Sequence, residues 1–202
     1  MIEPKRFWDK TAARYAKSPI KDLKSYKRKL AITQEYLQAD WSVLEFGCGT
    51  GSTAIHHSSY VNSITATDIS EKMLDIAKQK VKSAAIKNIS FQQGTLGSLK
   101  FEPDSFNAIL GLNILHLIED IDGAIARVYN LLKPGGIFVS STVLIKKSNW
   151  RFLIPVMQRI NLAPYVHKID RQELLDKLTR VGFLIDQEWQ PSKESIFLIA
   201  KK

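Results

Sequence analysis

Glu45, Gly47, Gly49 and Gly51 stand at alternate positions within one nine-residue stretch, VLEFGCGTG at 43–51. Val43, Leu44 and Phe46 give that stretch the apolar run of a buried parallel strand, which breaks off into the glycines. Glycine suits a tight strand-to-helix turn because the backbone angles required there are closed to residues with a Cβ. It also lets a ligand approach the main chain, next to the unpaired N–H groups of the helix that follows. The spacing is not that of a dinucleotide fingerprint, whose third glycine would fall at Ser52, and no Gly-Lys-Ser/Thr ending marks a P-loop. A second run, 64–67, ends in Asp68, near the interval at which a carboxylate grips ribose hydroxyls in such folds. Glu45-x-Gly-x-Gly-x-Gly with Asp68 therefore reads as a nucleoside site.

The elements that must position these residues follow from periodicity. Residues 5–17 and 22–39 are expected as helices, separated by Ser18-Pro19, with aromatic stripes that include Phe7, Trp8, Tyr15, Tyr26 and Tyr36. A helix over about 52–60 follows the glycine turn, and His56 and His57 on it are expected at the surface or an edge. Ser70 is placed as the N-cap of a helix to Ala85, with Met73, Leu74, Ala77 and Val81 on one face. A strand at 89–92 leads into Gln93-Gly94-Thr95-Leu96, and another at 106–110 runs into 111–117, which includes Leu112, Asn113 and His116. A helix over 119–132 is expected to close at Lys133-Pro134-Gly135-Gly136, ahead of a strand at 137–143. Pro155 should kink or delay a helix in 146–168. A helix from Asp170 to Gly182 then precedes a hairpin of strands at 183–189 and 195–200.

Phe7-Trp8, Glu45 to Gly51, Asp68-Ile69-Ser70 with Met73-Leu74, Phe106-Asn107-Ala108-Ile109 and Leu132-Lys133-Pro134-Gly135-Gly136 together resemble the class I S-adenosylmethionine-dependent methyltransferases. The resemblance is to the small branch that includes quinone and sterol methyltransferases. It implies an α/β Rossmann-like three-layer sandwich, with a mostly parallel seven-stranded sheet, a C-terminal antiparallel hairpin and a helical N-terminal cap. It implies S-adenosylmethionine as cofactor and S-adenosylhomocysteine as product. Glu45, Gly47, Cys48, Gly49 and Gly51 would seat the methionine end. Asp68 would take the ribose hydroxyls, and Ile69, Met73, Gly94, Thr95 and Leu96 would surround adenine. Relatives commonly carry aspartate where Thr95 stands; a threonine hydroxyl can also accept a hydrogen bond. The backbone at Leu112 and Asn113 would flank the methionine part, and Tyr15 and Tyr26 would reach the site from the N-terminal helices. His116 would line the acceptor pocket as the candidate base for a hydroxyl or protonated amine.

The length of 202 residues suits one domain, divided into an N-terminal cap (1–40), a cofactor-binding core (41–145), a substrate cap (146–168) and a C-terminal helix and hairpin (169–202). No apolar run is long enough to span a membrane, the first residues lack a signal-peptide core, and the single cysteine, Cys48, forms no internal disulfide or metal cluster. A cytoplasmic location is expected, with no metal. The net charge is +9. Residues 1–40 hold 10 Lys and Arg against 5 Asp and Glu, and 146–180 hold 8 against 3, whereas 41–145 are nearly balanced. The basic excess thus lies on flanking segments, as solvated surface or as attraction for an anionic partner.

Trp150, Phe152, Met157 and Tyr165 in 146–168 favour a cap over an apolar or amphipathic small-molecule acceptor. Peripheral contact of that segment with a membrane surface is the competing role. An RNA acceptor is disfavoured because no added RNA-binding module, Asn-Pro-Pro-Tyr-type motif or paired-cysteine motif is present. A non-catalytic nucleoside-binding domain of the same fold is the third reading. None of these readings sets the oligomeric state.

Overall fold

The computed structural model describes residues 3–145, 150–159 and 163–202, with the side chains of Trp150, Arg151 and Phe152 also outside the description. Two helices come first, α1 (Pro4–Lys17) and α2 (Leu23–Tyr36). Alternating units follow: β1 (Ser42–Phe46), α3 (Ser52–His57), β2 (Ser63–Asp68), α4 (Glu71–Ser83), β3 (Ile89–Gln93), β4 (Phe106–Leu112), α5 (Ile121–Leu131) and β5 (Leu132–Val143). The chain ends with α6 (Trp150–Arg159), α7 (Arg171–Val181), β6 (Leu184–Ser192) and β7 (Ser195–Lys201).

One seven-stranded sheet has the order β3-β2-β1-β4-β5-β7-β6. Strands β1 to β5 pair in parallel, while β7 runs antiparallel to both β5 and β6. This is the α/β architecture implied by the resemblance. The strand order reverses between β1 and β4, and ligands of open α/β sheets sit beyond the carboxyl ends of the strands at such a switch. Leu44, Ile109, Phe138 and Leu198 belong to one apolar core, against Ile125, Leu174 and Leu178 of α5 and α7. Val43, Ala108, Val139 and Ile199 on neighbouring strand positions belong to the other, with Ala54 and Leu74. The alternation is that of a sheet covered on both faces.

Contacts on both sides fasten the N-terminal helices to this frame. Asp9 Oδ1 accepts from the Ser70 hydroxyl at 2.7 Å, and Ser70 in turn caps α4 by accepting from the Met73 N–H at 3.1 Å. On the other side, the Arg28 guanidinium lies 4.3 Å from the Trp189 ring centroid, and the Tyr36 hydroxyl donates to Asp186. The first helix therefore docks at the carboxyl end of the sheet and the second reaches its antiparallel edge.

Two local expectations are corrected. Lys133 to Gly136 do not lie beyond the end of α5; they form the first part of β5, because Leu132 is already extended. Backbone bonds from Gly135 N–H to the Lys202 carbonyl (3.1 Å) and from Lys202 N–H to the Gly136 carbonyl (2.9 Å) draw them alongside the chain end. His57 is completely buried, because α3 turns Ala54 and His57 to one inward face and leaves His56 outside. Helix α6 contains Pro155 in its interior. Lys146 to Asn149 and Ile160 to Leu162 of the expected cap lie outside the described residues. Among the described residues, no helix is long and apolar enough to cross a membrane.

Candidate active site

Strand β1 ends at Phe46, and the next residues turn sharply through Gly47 (φ +65°), Gly49 (φ +55°) and Gly51 (φ +73°). The turn is held by the Cys48 N–H donating to the Thr67 carbonyl at 2.9 Å and the Gly51 N–H donating to the Cys48 carbonyl at 3.0 Å. Space as well as conformation demands glycine at its ends. A Cβ on Gly47 would come within 2.6 Å of Ile114 Cγ1, and one on Gly51 within 2.9 Å of the Ala77 Cβ. Gly51→Ala is therefore expected to destabilise the chain by about 2–4 kcal/mol, combining left-handed strain with overpacking against α4. A urea midpoint equal to that of the unaltered protein would contradict this.

Asp68, at the end of β2, accepts from the Gly49 N–H at 2.8 Å through Oδ2 and from the Ser70 N–H at 2.9 Å through Oδ1. The carboxylate is thus fixed in orientation between the glycine turn and the start of α4. Burial raises its pKa, against the lowering effect of the Ser70 and Gly49 N–H groups. A cavity of about 850 Å³ opens here, over the carboxyl ends of β1, β2 and β4. Gly47, Gly49, Asp68, Ile69, Met73, Gly94, Thr95, Leu96, Leu112, Asn113 and Tyr15 line it.

The other residues assigned from the sequence to the cofactor or to catalysis, Glu45, Cys48, Gly51, Tyr26 and His116, do not line the cavity. Gly51 packs on α4, and Cys48 is buried with its thiol 3.7 Å from the Gly49 carbonyl. Glu45 is 3% exposed, and its Oε2 has no hydrogen-bond partner among the described residues. Burial pushes its pKa up to about 8; the Ala54 N–H opposes this and the Asp68 charge adds to it. The Tyr26 hydroxyl is buried beside Thr53 without a well-formed hydrogen bond, close enough to Glu45 for the carboxylate to raise its pKa further after burial. Two polar atoms thus lie buried and unpaired behind the glycine turn, where most buried groups would have partners.

His116 is placed differently from expectation. It sits in a single 3₁₀ turn after β4, with its Nδ1 3.5 Å from the Val143 N–H, and it does not line the cavity. Burial lowers its pKa to about 4, so it is neutral near pH 7. Its carbonyl accepts from the His167 N–H at 2.7 Å, which ties the β4 turn to the loop before α7. Thr95 also differs in detail: its hydroxyl oxygen accepts from the Ser98 N–H at 3.0 Å and so caps its own turn.

Several cavity residues were not singled out as site residues. Trp8 belongs to the recognised aromatic stripe of α1 and packs edge-on to Tyr15 with centroids 6.2 Å apart. Phe101 and Arg127 are joined by an Arg127 Nη2 bond to the Phe101 carbonyl at 2.8 Å, a contact across 26 residues with no local signal. Tyr165, expected in the substrate cap, does line the cavity, with its hydroxyl 3.3 Å from His167 Nδ1. Among the described residues, no cluster of His, Cys, Asp and Glu could hold a metal ion.

Residues 43–136, which carry the glycine turn, Asp68 and the β4 end, match the sequence profile of a methyltransferase domain. This span is a methyltransferase domain. The domain is 34% identical over 110 residues to YcgJ, an uncharacterized methyltransferase of Bacillus subtilis, covering 54% of this chain and 44% of that protein. It is 30% identical over 168 residues to the demethylmenaquinone methyltransferase of Leptospira interrogans, covering 79% of this chain and 65% of that one. The chain therefore spans between 44% and 65% of the length of these two curated relatives. In fold, the domain superposes on phosphoethanolamine N-methyltransferase 2 of Haemonchus contortus with a TM-score of 0.76 at 16% identity, covering 100% of this chain and 61% of that chain. That structure is a complex with phosphomonomethylethanolamine and S-adenosylhomocysteine.

Proposed function

We propose that this chain transfers a methyl group from S-adenosylmethionine to a small apolar or amphipathic acceptor. The observation that carries the proposal is the anchored Asp68 carboxylate beside an open glycine turn, both facing one cavity at the switch point of the sheet. The residues present fit the cofactor. Each Asp68 oxygen has one lone pair committed to a backbone N–H and one left for a ribose hydroxyl. Behind the turn, Glu45 Oε2 is buried without a partner among the described residues, and the charge of an α-ammonium group bound beside the turn would favour its ionised form. Ile69 and Leu96 offer apolar walls for adenine, and Tyr15 lies over Gly49.

When bound, the sulfonium supplies an electrophilic methyl group. The protein's part is to orient the two reactants and exclude water, which makes a bimolecular displacement effectively unimolecular. Gly47 and Gly49 hold the main chain open, Asp68 fixes one end of the cofactor, and Trp8, Tyr15 and Tyr165 close the cavity around the other reactant. Proton removal is not assigned to His116, which is buried away from the cavity and holds its proton poorly. The quinone class named by the Leptospira relative supports a small acceptor, and the apolar walls Ile114, Leu117, Ile118 and Pro164 agree with it.

Calorimetric titration with S-adenosylhomocysteine tests the cofactor half of the proposal. Saturable binding with one site per chain is expected. A folded protein that binds none would refute it. Methyl transfer from labelled cofactor to a short-chain demethylmenaquinol, with an RNA substrate as comparison, tests the acceptor half; label found only in RNA would overturn that half.

A further inference from the structure

Lys29 on α2 has an unusual environment for a lysine. It is only partly exposed, and no described carboxylate pairs with it. Burial lowers its pKa, opposed by Asp22. Its Nζ donates to the Ser141 hydroxyl at 2.7 Å. Ser141, in β5, is almost wholly inaccessible, and its hydroxyl donates to Asn113 Oδ1 at 3.2 Å, the only acceptor available to it among the described residues. Asn113 follows β4 in the left-handed region (φ +57°), and its N–H donates to the Ser141 carbonyl at 2.6 Å. It also lines the cavity.

The order of donors along this chain is decided by chemistry. A lysine ammonium can only donate, so the Ser141 oxygen must accept from it. The one serine proton then needs an acceptor in a buried place, and Asn113 Oδ1 is the one at hand. Were the amide turned over, that proton would be stranded, at a cost of about 1–3 kcal/mol. The amide orientation of an asparagine follows from its hydrogen-bond network, and here every member of the network points the same way. With its oxygen held by Ser141, the Asn113 amide keeps one further lone pair and both N–H donors, and no described residue engages those donors.

We infer that Lys29 is a positioning residue which, through Ser141, fixes the orientation of the Asn113 amide and leaves its NH₂ group as the donor that recognises a ligand oxygen. The inference rests on the proposed function for its ligand but not for its relay. Two sources offer such an oxygen: the carboxylate of the cofactor, and a carbonyl or phenolic oxygen of the acceptor. The position of Lys29 also means that the second N-terminal helix sets the polarity of a cavity it does not line.

The test follows the side-chain amide signals of Asn113 by ¹⁵N NMR in the full chain, assigned by their loss in Asn113→Asp. Lys29→Met is expected to shift or double these signals, and Lys29→Arg, which keeps a donor, to retain one set near the original positions. Unchanged signals in a folded Lys29→Met protein would overturn the relay. S-adenosylhomocysteine is then added to the unaltered chain. A shift of the Asn113 amide on saturation assigns the oxygen to the cofactor carboxylate. A shift only on further addition of a short-chain demethylmenaquinol assigns it to the acceptor. Saturation by both without movement of the amide would overturn the recognition step. Failure of S-adenosylhomocysteine to bind at all refutes the proposed function and is seen separately in the titration, whereas the Lys29 comparison needs no ligand.

Discussion

Asp68→Asn is expected to weaken S-adenosylhomocysteine binding at least a hundredfold, about 3 kcal/mol, with the fold retained. The two carboxylate oxygens already receive the Gly49 and Ser70 N–H groups. An amide presents one oxygen and one NH₂, so whichever way it turns, one backbone donor meets another donor. The side chain must then swing away or lose a bond to the glycine turn, and either result spoils both acceptors proposed for the ribose. The lost bonds to a charged group should also cost about 1.5–3 kcal/mol of stability. Circular dichroism and a thermal melt would separate that loss from unfolding. An affinity within a few-fold of the unaltered protein would remove Asp68 from the binding site.

The second large effect is on stability against pH, where four buried groups act in two directions. His57 and His116 each have a folded pKa of about 4, chiefly from burial, with the neighbouring His56 contributing for His57. The unfolded chain then binds more protons than the folded one between about 4 and 6.5, so stability rises with pH across that window and is fully present above it. Glu45 acts oppositely: its folded pKa of about 8 exceeds the ordinary carboxyl value, so the unfolded chain gives up its proton first, and stability falls from about 4.5 to 8. Asp68, also raised by burial, acts in the same sense as Glu45 from the acid end. Each group contributes a slope of roughly 1.4 kcal/mol per pH unit. The two histidines outweigh Glu45 below 6.5, and above it Glu45 acts alone, so unfolding by urea should show greatest stability near pH 6.5. A loss of about 2 kcal/mol by pH 8 is expected. Glu45→Gln should flatten the alkaline limb while weakening S-adenosylhomocysteine, and His57→Leu, which leaves one histidine against Glu45, should remove most of the acid limb above about pH 4.5. Stability that continues to rise from pH 6.5 to 8 would contradict the placement of Glu45.

Much of the frame could be read from local pattern. The apolar run of β1, its glycines and the apolar face of α4 need only neighbouring residues to be recognised, and the Ser70 cap appears as expected. Asp68 was legible because the unit from β1 through α3 to β2 fixes its distance from the glycine turn. What escaped depends on contacts between distant segments. Lys133 to Gly136 carry an ordinary helix-stop pattern, but pairing with Lys202 makes them strand. His57 looked like half of an exposed pair until the sheet beneath α3 determined which half faces inward. The Lys29–Ser141–Asn113 relay joins residues 112 positions apart at its first step, and a lysine on a basic helix gives no sign of that contact. His116 lies at the foreseen end of β4, but the direction of a side chain in a 3₁₀ turn is set by the neighbours it meets.

The docking of α1 through Asp9 has a kinetic side. The same helix supplies Trp8 and Tyr15 to the cavity wall and holds the hydroxyl that caps α4. Swinging it outward would break the bond to Ser70 and loosen the first turn of α4, next to the carboxylate proposed to grip the ribose. If a bound nucleoside leaves by that route, its escape and the fraying of that helix end are one event, and its residence time would be set by a helix terminus as well as by its own contacts.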